Sequence, residues 1–270
     1  MYSRMRAGLF VASIALVSAI QGWGRVASGE GEANRASARV PQEVPRPLLA
    51  RPWVVGEKLT YDAKVNFLHV GNGTMTVVGL DTLRGYTVWH TMFQVKGRML
   101  FFSVNDKYES WFDTTTLSSI RYRQDIDEGS YEPKRLYDFF PERATFQEND
   151  KPEEPSVPDP LDEGSFIYFL RSIPLDTGQT YVFNRYFRPD RNPVQIKVLR
   201  RERIKVQAGE YNAFVVQPII KTKGIFSENG KAEIWIADDN TRMMLKMRSG
   251  LPFGTLNLEL KRIENIAPQQ

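Results

Sequence analysis

The chain has 270 residues and 31.0 kDa, with 41% hydrophobic and 25% charged residues, a balance that excludes a wholly disordered, collagen-like or polytopic membrane protein. It has no cysteine and only two histidines, His69 and His90, which removes disulfides, thiolate zinc sites, iron–sulfur clusters, cysteine nucleophiles and multi-histidine metal sites. No metal or cofactor is therefore expected. The formal charge of +4, from 36 basic and 32 acidic residues, does not mark a nucleic-acid binder.

Arg4 and Arg6 precede a short uncharged apolar run, Gly8 to Ala19, and small residues follow at Val17-Ser18-Ala19 and Val26-Ala27-Ser28. This pattern predicts a secretory signal peptide and cleavage region over 1–28, hence a periplasmic location. The run is short for a span of about 20 residues, so no transmembrane domain is expected after its removal. Residues 29–52, with Pro41, Pro45, Pro47 and Pro52, read as a flexible linker. A single β-rich domain is expected over 53–266, with a tail over 267–270.

Within that domain, Leu59, Tyr61, Ala63, Val65 and Phe67 alternate with polar residues, the period of a strand with one buried face. His69 to Gly73 reads as a turn because of Asn72-Gly73, with a returning strand over Thr74 to Leu80. Further strands are predicted at Tyr86–Val95, Met99–Val104, Lys107–Phe112 and Leu117–Gln124. Glu148 to Pro160 reads as a mobile, acidic, Pro-rich loop. Asp159 as cap and Pro160 at the first position then open a helix whose apolar residues Phe166, Ile167, Phe169, Leu170 and Ile173 stop at Pro174. After it, strands are predicted at Tyr181–Phe187, Val194–Val206, Ala213–Thr222, Lys231–Ala237, Met243–Arg248 and Thr255–Leu260, with turns at Asn229-Gly230 and Asp238 to Asn240. About a dozen strands joined by short turns predict an all-β fold, a large antiparallel curled sheet forming a barrel or β-spiral. The one short helix would plug or cover it.

Five segments in order carry a resemblance: Val55 to Asp62 (VGEKLTYD), Asn105 to Trp111 (NDKYESW), the helix end Phe169-Leu170-Arg171, Val206 to Tyr211 (VQAGEY) and Glu233 to Asp239 (EIWIADD). By these the chain resembles a family of exported bacterial proteins known as domain of unknown function 3108. The resemblance implies a β-rich periplasmic or envelope-associated domain and no established reaction, so it transfers no catalytic residue.

Chemistry-bearing residues are sparse. There is no G-x-S-x-G elbow, and His69 beside a turn and His90 within a strand read as surface and sheet-face residues rather than bases. From Asp125 to Glu163, thirteen acidic residues stand against four basic ones, without calcium-loop spacing, and read as solvated loops. Lys197, Arg201, Arg203 and Lys205 share one strand parity and form a candidate basic patch for anionic lipid or an envelope polymer, or simply a wet face. Tyr108, Trp111, Phe166 and Phe169 are candidates to line a ligand cavity, with Trp89, Tyr168 and Trp235 beside them, or else to fill the core. Arg171, near the helix end, could meet an anionic headgroup or the helix dipole.

These readings leave three function classes. The first is a non-enzymatic periplasmic envelope protein that binds or scaffolds, with envelope lipid, polymer or protein as partner and no nucleic acid. The second is a carrier for a lipid or other apolar ligand, and the third a carboxylate-based glycan hydrolase. The interior discriminates: a continuous apolar cavity favours the carrier, a packed core the interaction protein, and converging carboxylates the enzyme.

Overall fold

The structure is a computed structural model and describes residues 42–43, 51–99, 102–128, 131–221, 232–251 and 254–266. The predicted turn at Asn229-Gly230 lies outside the described residues, as do residues 1–41. The first strands are β1 (Gln42–Glu43), β2 (Lys58–Val65), β3 (Leu68–Leu83), β4 (Tyr86–Met99) and β5 (Phe102–Asp113). Next come β6 (Ser119–Asp125), β7 (Lys134–Phe140), β8 (Thr145–Glu148) and β9 (Glu154–Pro155). One helix follows, α1 (Glu163–Ser172). The chain then forms β10 (Thr180–Phe183), β11 (Val194–Val206), β12 (Gly209–Ile219), β13 (Glu233–Ala237), β14 (Met244–Leu251) and β15 (Gly254–Glu264).

All fifteen strands of the described residues belong to one sheet in the order β1-β10-β11-β12-β13-β14-β15-β2-β3-β4-β5-β6-β7-β8-β9. Each strand from β2 to β9, and each from β10 to β15, is antiparallel to the next, and β15 beside β2 joins the two runs. The only parallel pair among them is β1 with β10, so Gln42–Glu43, within the expected linker, sits on the sheet's edge. Register shifts at Ala63/Lys64, Val77/Gly79, Val198/Arg200 and Leu260/Arg262 add local twist, which curls the sheet.

Among the described residues the curl does not close into a continuous barrel, because β1 and β9 remain as edges. β9 has two residues, and Pro155 offers no N–H to a further ladder. The seam is instead stitched by Leu161 beside Tyr186. Leu161 N donates to Arg185 O at 2.6 Å and Phe187 N to Leu161 O at 3.3 Å.

Several sequence expectations are corrected. The first hairpin turns at Asn66-Phe67, not at Asn72-Gly73, and β3 runs unbroken through Gly71 to Gly73. Asn66 takes the left-handed position (φ 56°), while Gly71 and Gly97 let β3 and β4 touch. A Cβ on either glycine would run into the facing carbonyl, Lys96 O or Val70 O. Met99–Val104 and Lys107–Phe112 are not two separate strands: β4 reaches Met99, and β5 continues from Phe102 to Asp113. Asp106 stays inside β5 because its carboxylate accepts Asp127 N at 3.0 Å and the Tyr108 hydroxyl at 3.3 Å. The acidic stretch read as loops contains β7, β8 and β9, whose Phe139 and Phe146 are buried.

The helix begins at Glu163 with Asp162 as its cap, rather than at Pro160 with Asp159. Pro160 and Leu161 are held extended by the Leu161 bridge and by Ser119 N donating to Pro160 O. Asp159 is instead engaged by the Ser118 hydroxyl at 3.2 Å. From Ser165 to Ser172 every residue of α1 is buried. A helix covered on all sides is an interior element, and here the sheet wraps it from β3 to β6 on one side and β14 to β15 on the other.

Candidate functional site

The site is built around the first turns of α1. Asp162 accepts Gly164 N at 2.7 Å and Ser165 N at 2.9 Å, and Asp162 N donates to Ser165 Oγ at 3.0 Å, a capping box. Its other oxygen accepts the hydroxyls of Ser110 and Ser119, both at 2.7 Å. These serines stand on β5 and β6, so the cap also pins the helix to the sheet. Burial raises the Asp162 carboxyl above the ordinary range, and those hydrogen bonds pull against it. The approach is close enough that a Cβ on Gly164 would lie 2.9 Å from Ser110 Cβ.

Beside this anchor, between α1 and the sheet, lies a cavity. Its volume is about 40 Å³. One water needs about 10–15 Å³, so the space accepts a few heavy atoms before any side chain moves. Its helix wall is Glu163, Gly164, Ile167 and Tyr168. Its sheet walls bring Phe93, Tyr108 and Tyr122 from one run of strands and Met244, Met247 and Leu258 from the other. Met75 and Met92 add two more thioethers, which reshape easily around a guest.

Glu163 is the one carboxylate on this wall. Its Oε1 accepts the Tyr186 hydroxyl at 2.8 Å, and its buried Oε2 has no hydrogen-bond partner among the described residues. Burial, then the neighbouring Asp162 charge, pushes its carboxyl up to about 7. The tyrosines around it respond in kind. Burial raises Tyr122 and then Tyr186, and the Glu163 charge pushes both further.

Of the sequence candidates, Tyr108 lines the cavity. Trp111 points from the opposite face of β5, stacked on His90 at 4.3 Å and donating to Asp81 Oδ2 at 3.2 Å. Phe166 and Phe169 are buried, and Phe169 packs 4.9 Å from Phe183 with the Arg185 guanidinium 5.0 Å above its ring. Arg171 is fully buried, with two bonds to Glu57 at 2.6 and 2.9 Å and one to Thr241 O at 2.9 Å. Burial lowers its pKa and the Glu57 carboxylate more than offsets that, for a net rise.

In the basic patch, Arg201 pairs with Asp238, and Arg203 and Lys205 reach Glu210 at 2.7 and 3.8 Å. Lys197 is half-buried. Most of the patch's charge is thus balanced from β12 and the β13–β14 turn. His69 Nδ1 lies 2.6 Å from Asp62, and His90 Nε2 lies 3.2 Å from Glu109. No group of three or more His, Asp or Glu side chains that could hold a metal occurs among the described residues. No described helix is long and apolar enough to cross a membrane.

Sequence reasoning missed Glu163 and the four methionines. Glu163 stood among thirteen acidic residues read as solvated, and the methionines scatter over β3, β4 and β14 without a shared spacing.

Fold and site together define an all-β protein whose open, curled antiparallel sheet encloses one capped helix and an apolar cavity. The chain belongs to the family described as proteins of unknown function (DUF3108), which matches residues 60–261. Among solved structures it is similar to a β-barrel-like protein of domain of unknown function DUF1849 from Brucella abortus, at 8% sequence identity and a TM-score of 0.49. That match covers 80% of this chain and 99% of the other. No curated protein matches the sequence.

Proposed function

We propose that this protein is an exported cell-envelope protein that acts by binding, and that it holds a small ligand with an apolar body between α1 and the sheet. The observation that carries the reading is the cavity, walled by methionines, aromatics and Leu258 under a helix. The charged start and short apolar run of the sequence support export to the periplasm. Binding suits the site better than the hydrolase reading, because its wall offers one carboxylate rather than a facing pair.

The test has two parts. Native mass spectrometry of protein purified from its own periplasm should show a co-purifying small molecule. The neutral fluorophore N-phenyl-1-naphthylamine should brighten on binding the wild-type protein, and Ile167→Trp, which fills the cavity from the helix side, should abolish the signal. Equal brightening by a folded Ile167→Trp variant would reject the site. Recovery of the protein from the cytoplasm with its first residues intact would reject export.

A further inference from the structure

The cavity's polarity is one-sided. Glu163 is its one carboxylic acid, and no Lys or Arg lines it. Glu163 Oε1 is already occupied by Tyr186, whose hydroxyl also accepts Arg191 Nη1 at 3.4 Å, while the buried Oε2 has no partner among the described residues. The helix N-terminus, which would otherwise draw an anion, is already capped by the Asp162 carboxylate. Four aromatic residues, Phe93, Tyr108, Tyr122 and Tyr168, share the wall with Glu163. Aromatic faces together with a carboxylate attract an ammonium ion, and an anionic head would meet Glu163 with no cation on the cavity wall to balance it.

We infer that the ligand is an amphiphile with a cationic ammonium head, seated against Glu163 Oε2 among the aromatic rings, with its apolar body against Met75, Met244, Met247 and Leu258. This rests on the ligand-binding reading above and names the class of ligand. Glu163 is faced by Asp162 from its own helix cap, by Tyr186 and Arg191 from the segment between β10 and β11, and by Tyr108, Tyr122 and Tyr137 of β5, β6 and β7. In the free protein its carboxyl titrates at about 7. An incoming ammonium must therefore displace a proton at acid pH and none at alkaline pH, so its affinity falls as pH drops, by up to about tenfold per unit below 7.

The experiment compares dodecylamine, dodecanol and dodecanoate by calorimetry on the full-length mature protein at pH 8 and pH 5. Dodecylamine should bind at least about tenfold more tightly than the other two at pH 8, a charge-assisted contact's worth. That preference should shrink at pH 5, and Glu163→Gln should erase it while dodecanol affinity stays within about twofold. If Glu163→Gln does not fold, the wild-type pH profile decides alone. Equal or tighter binding of dodecanoate, or a preference indifferent to both pH and Glu163→Gln, overturns the inference and leaves the cavity reading standing. Failure of all three ligands to bind overturns both. Free amines and ethanolamine lipids share the ammonium group, which the lipid carries beside a phosphate. Lysophosphatidylethanolamine bound as tightly as dodecylamine assigns the source to lipid, and its rejection assigns it to free amines.

Discussion

Replacing Arg171 with Met removes the charge at the centre of the molecule. The guanidinium is fully buried, and Glu57, its partner across 114 residues of sequence, is 1% exposed. Loss of the two bonds at 2.6 and 2.9 Å leaves that carboxylate without its counter-ion, and Thr241 O loses a donor at 2.9 Å. Arg171 also lies over Trp53 and Tyr168, at 5.5 and 5.6 Å from the ring centroids, so some packing goes with the charge. Orphaning one member of a buried pair costs about 3–5 kcal/mol. For a domain of this size that corresponds to a fall in Tm of about 6–20 °C. Glu57→Met should cost a similar amount. The double variant, which replaces both ions with apolar groups of comparable volume, should cost at least about 2 kcal/mol less than the sum of the singles. Urea titrations of the four proteins measure the cycle. A single variant that loses under about 1 kcal/mol, or a strictly additive double, would refute the account of this pair as the tie between α1, the entry to β2 and the β13–β14 turn.

Phe169→Ala should lose about 3–5 kcal/mol by denaturant unfolding, because its ring is buried against Phe183. It does not line the cavity, so probe affinity in the folded fraction should not change, and a selective loss of binding would contradict the packing. Gly97→Ala drives a Cβ into Val70 O and should cost about 1–3 kcal/mol, so an unchanged Tm would show that β3 and β4 are not in contact there. Glu163 has a folded-state carboxyl at about 7, raised above the ordinary 4.5. Its contribution to stability is fully present below about 4.5 and is lost as pH rises through 7, a change of about 3 kcal/mol. Glu163→Gln should therefore gain on the wild type between pH 4.5 and pH 7.5 in chemical denaturation, and parallel curves would show that the carboxyl is not buried.

Short-range pattern was enough for the elements whose faces are set by immediate neighbours. Leu256, Leu258 and Leu260 alternate with Asn257 and Glu259, and β15 buries the three leucines. The helix stripe from Phe166 to Leu170 was equally plain, because a run that apolar has no stable place at the surface. The elements that sequence misplaced are those where two local solutions compete and a distant partner chooses. Asn72-Gly73 and Asn66-Phe67 both permit a turn, and the contact of Gly71 with Gly97 on β4 keeps the first pair within a strand. Asp159 and Asp162 can both cap a helix, and Ser110 and Ser119, on other strands, select Asp162.

The site depended on such partners still more. Arg171 looks free from the chain around it, yet Glu57 claims it from 114 residues away. Lys205, Arg203 and Arg201 look like a positive patch along β11, until Glu210 and Asp238 arrive from neighbouring segments. Glu163 looks like one more solvated carboxylate until folding places it beside Tyr186 and a wall of methionines. Periodicity records which face of an element prefers water, and that preference is written residue by residue. Charge balance, a cavity's shape and a carboxyl's proton affinity are sums over groups that only the closed tertiary fold brings within a few ångströms.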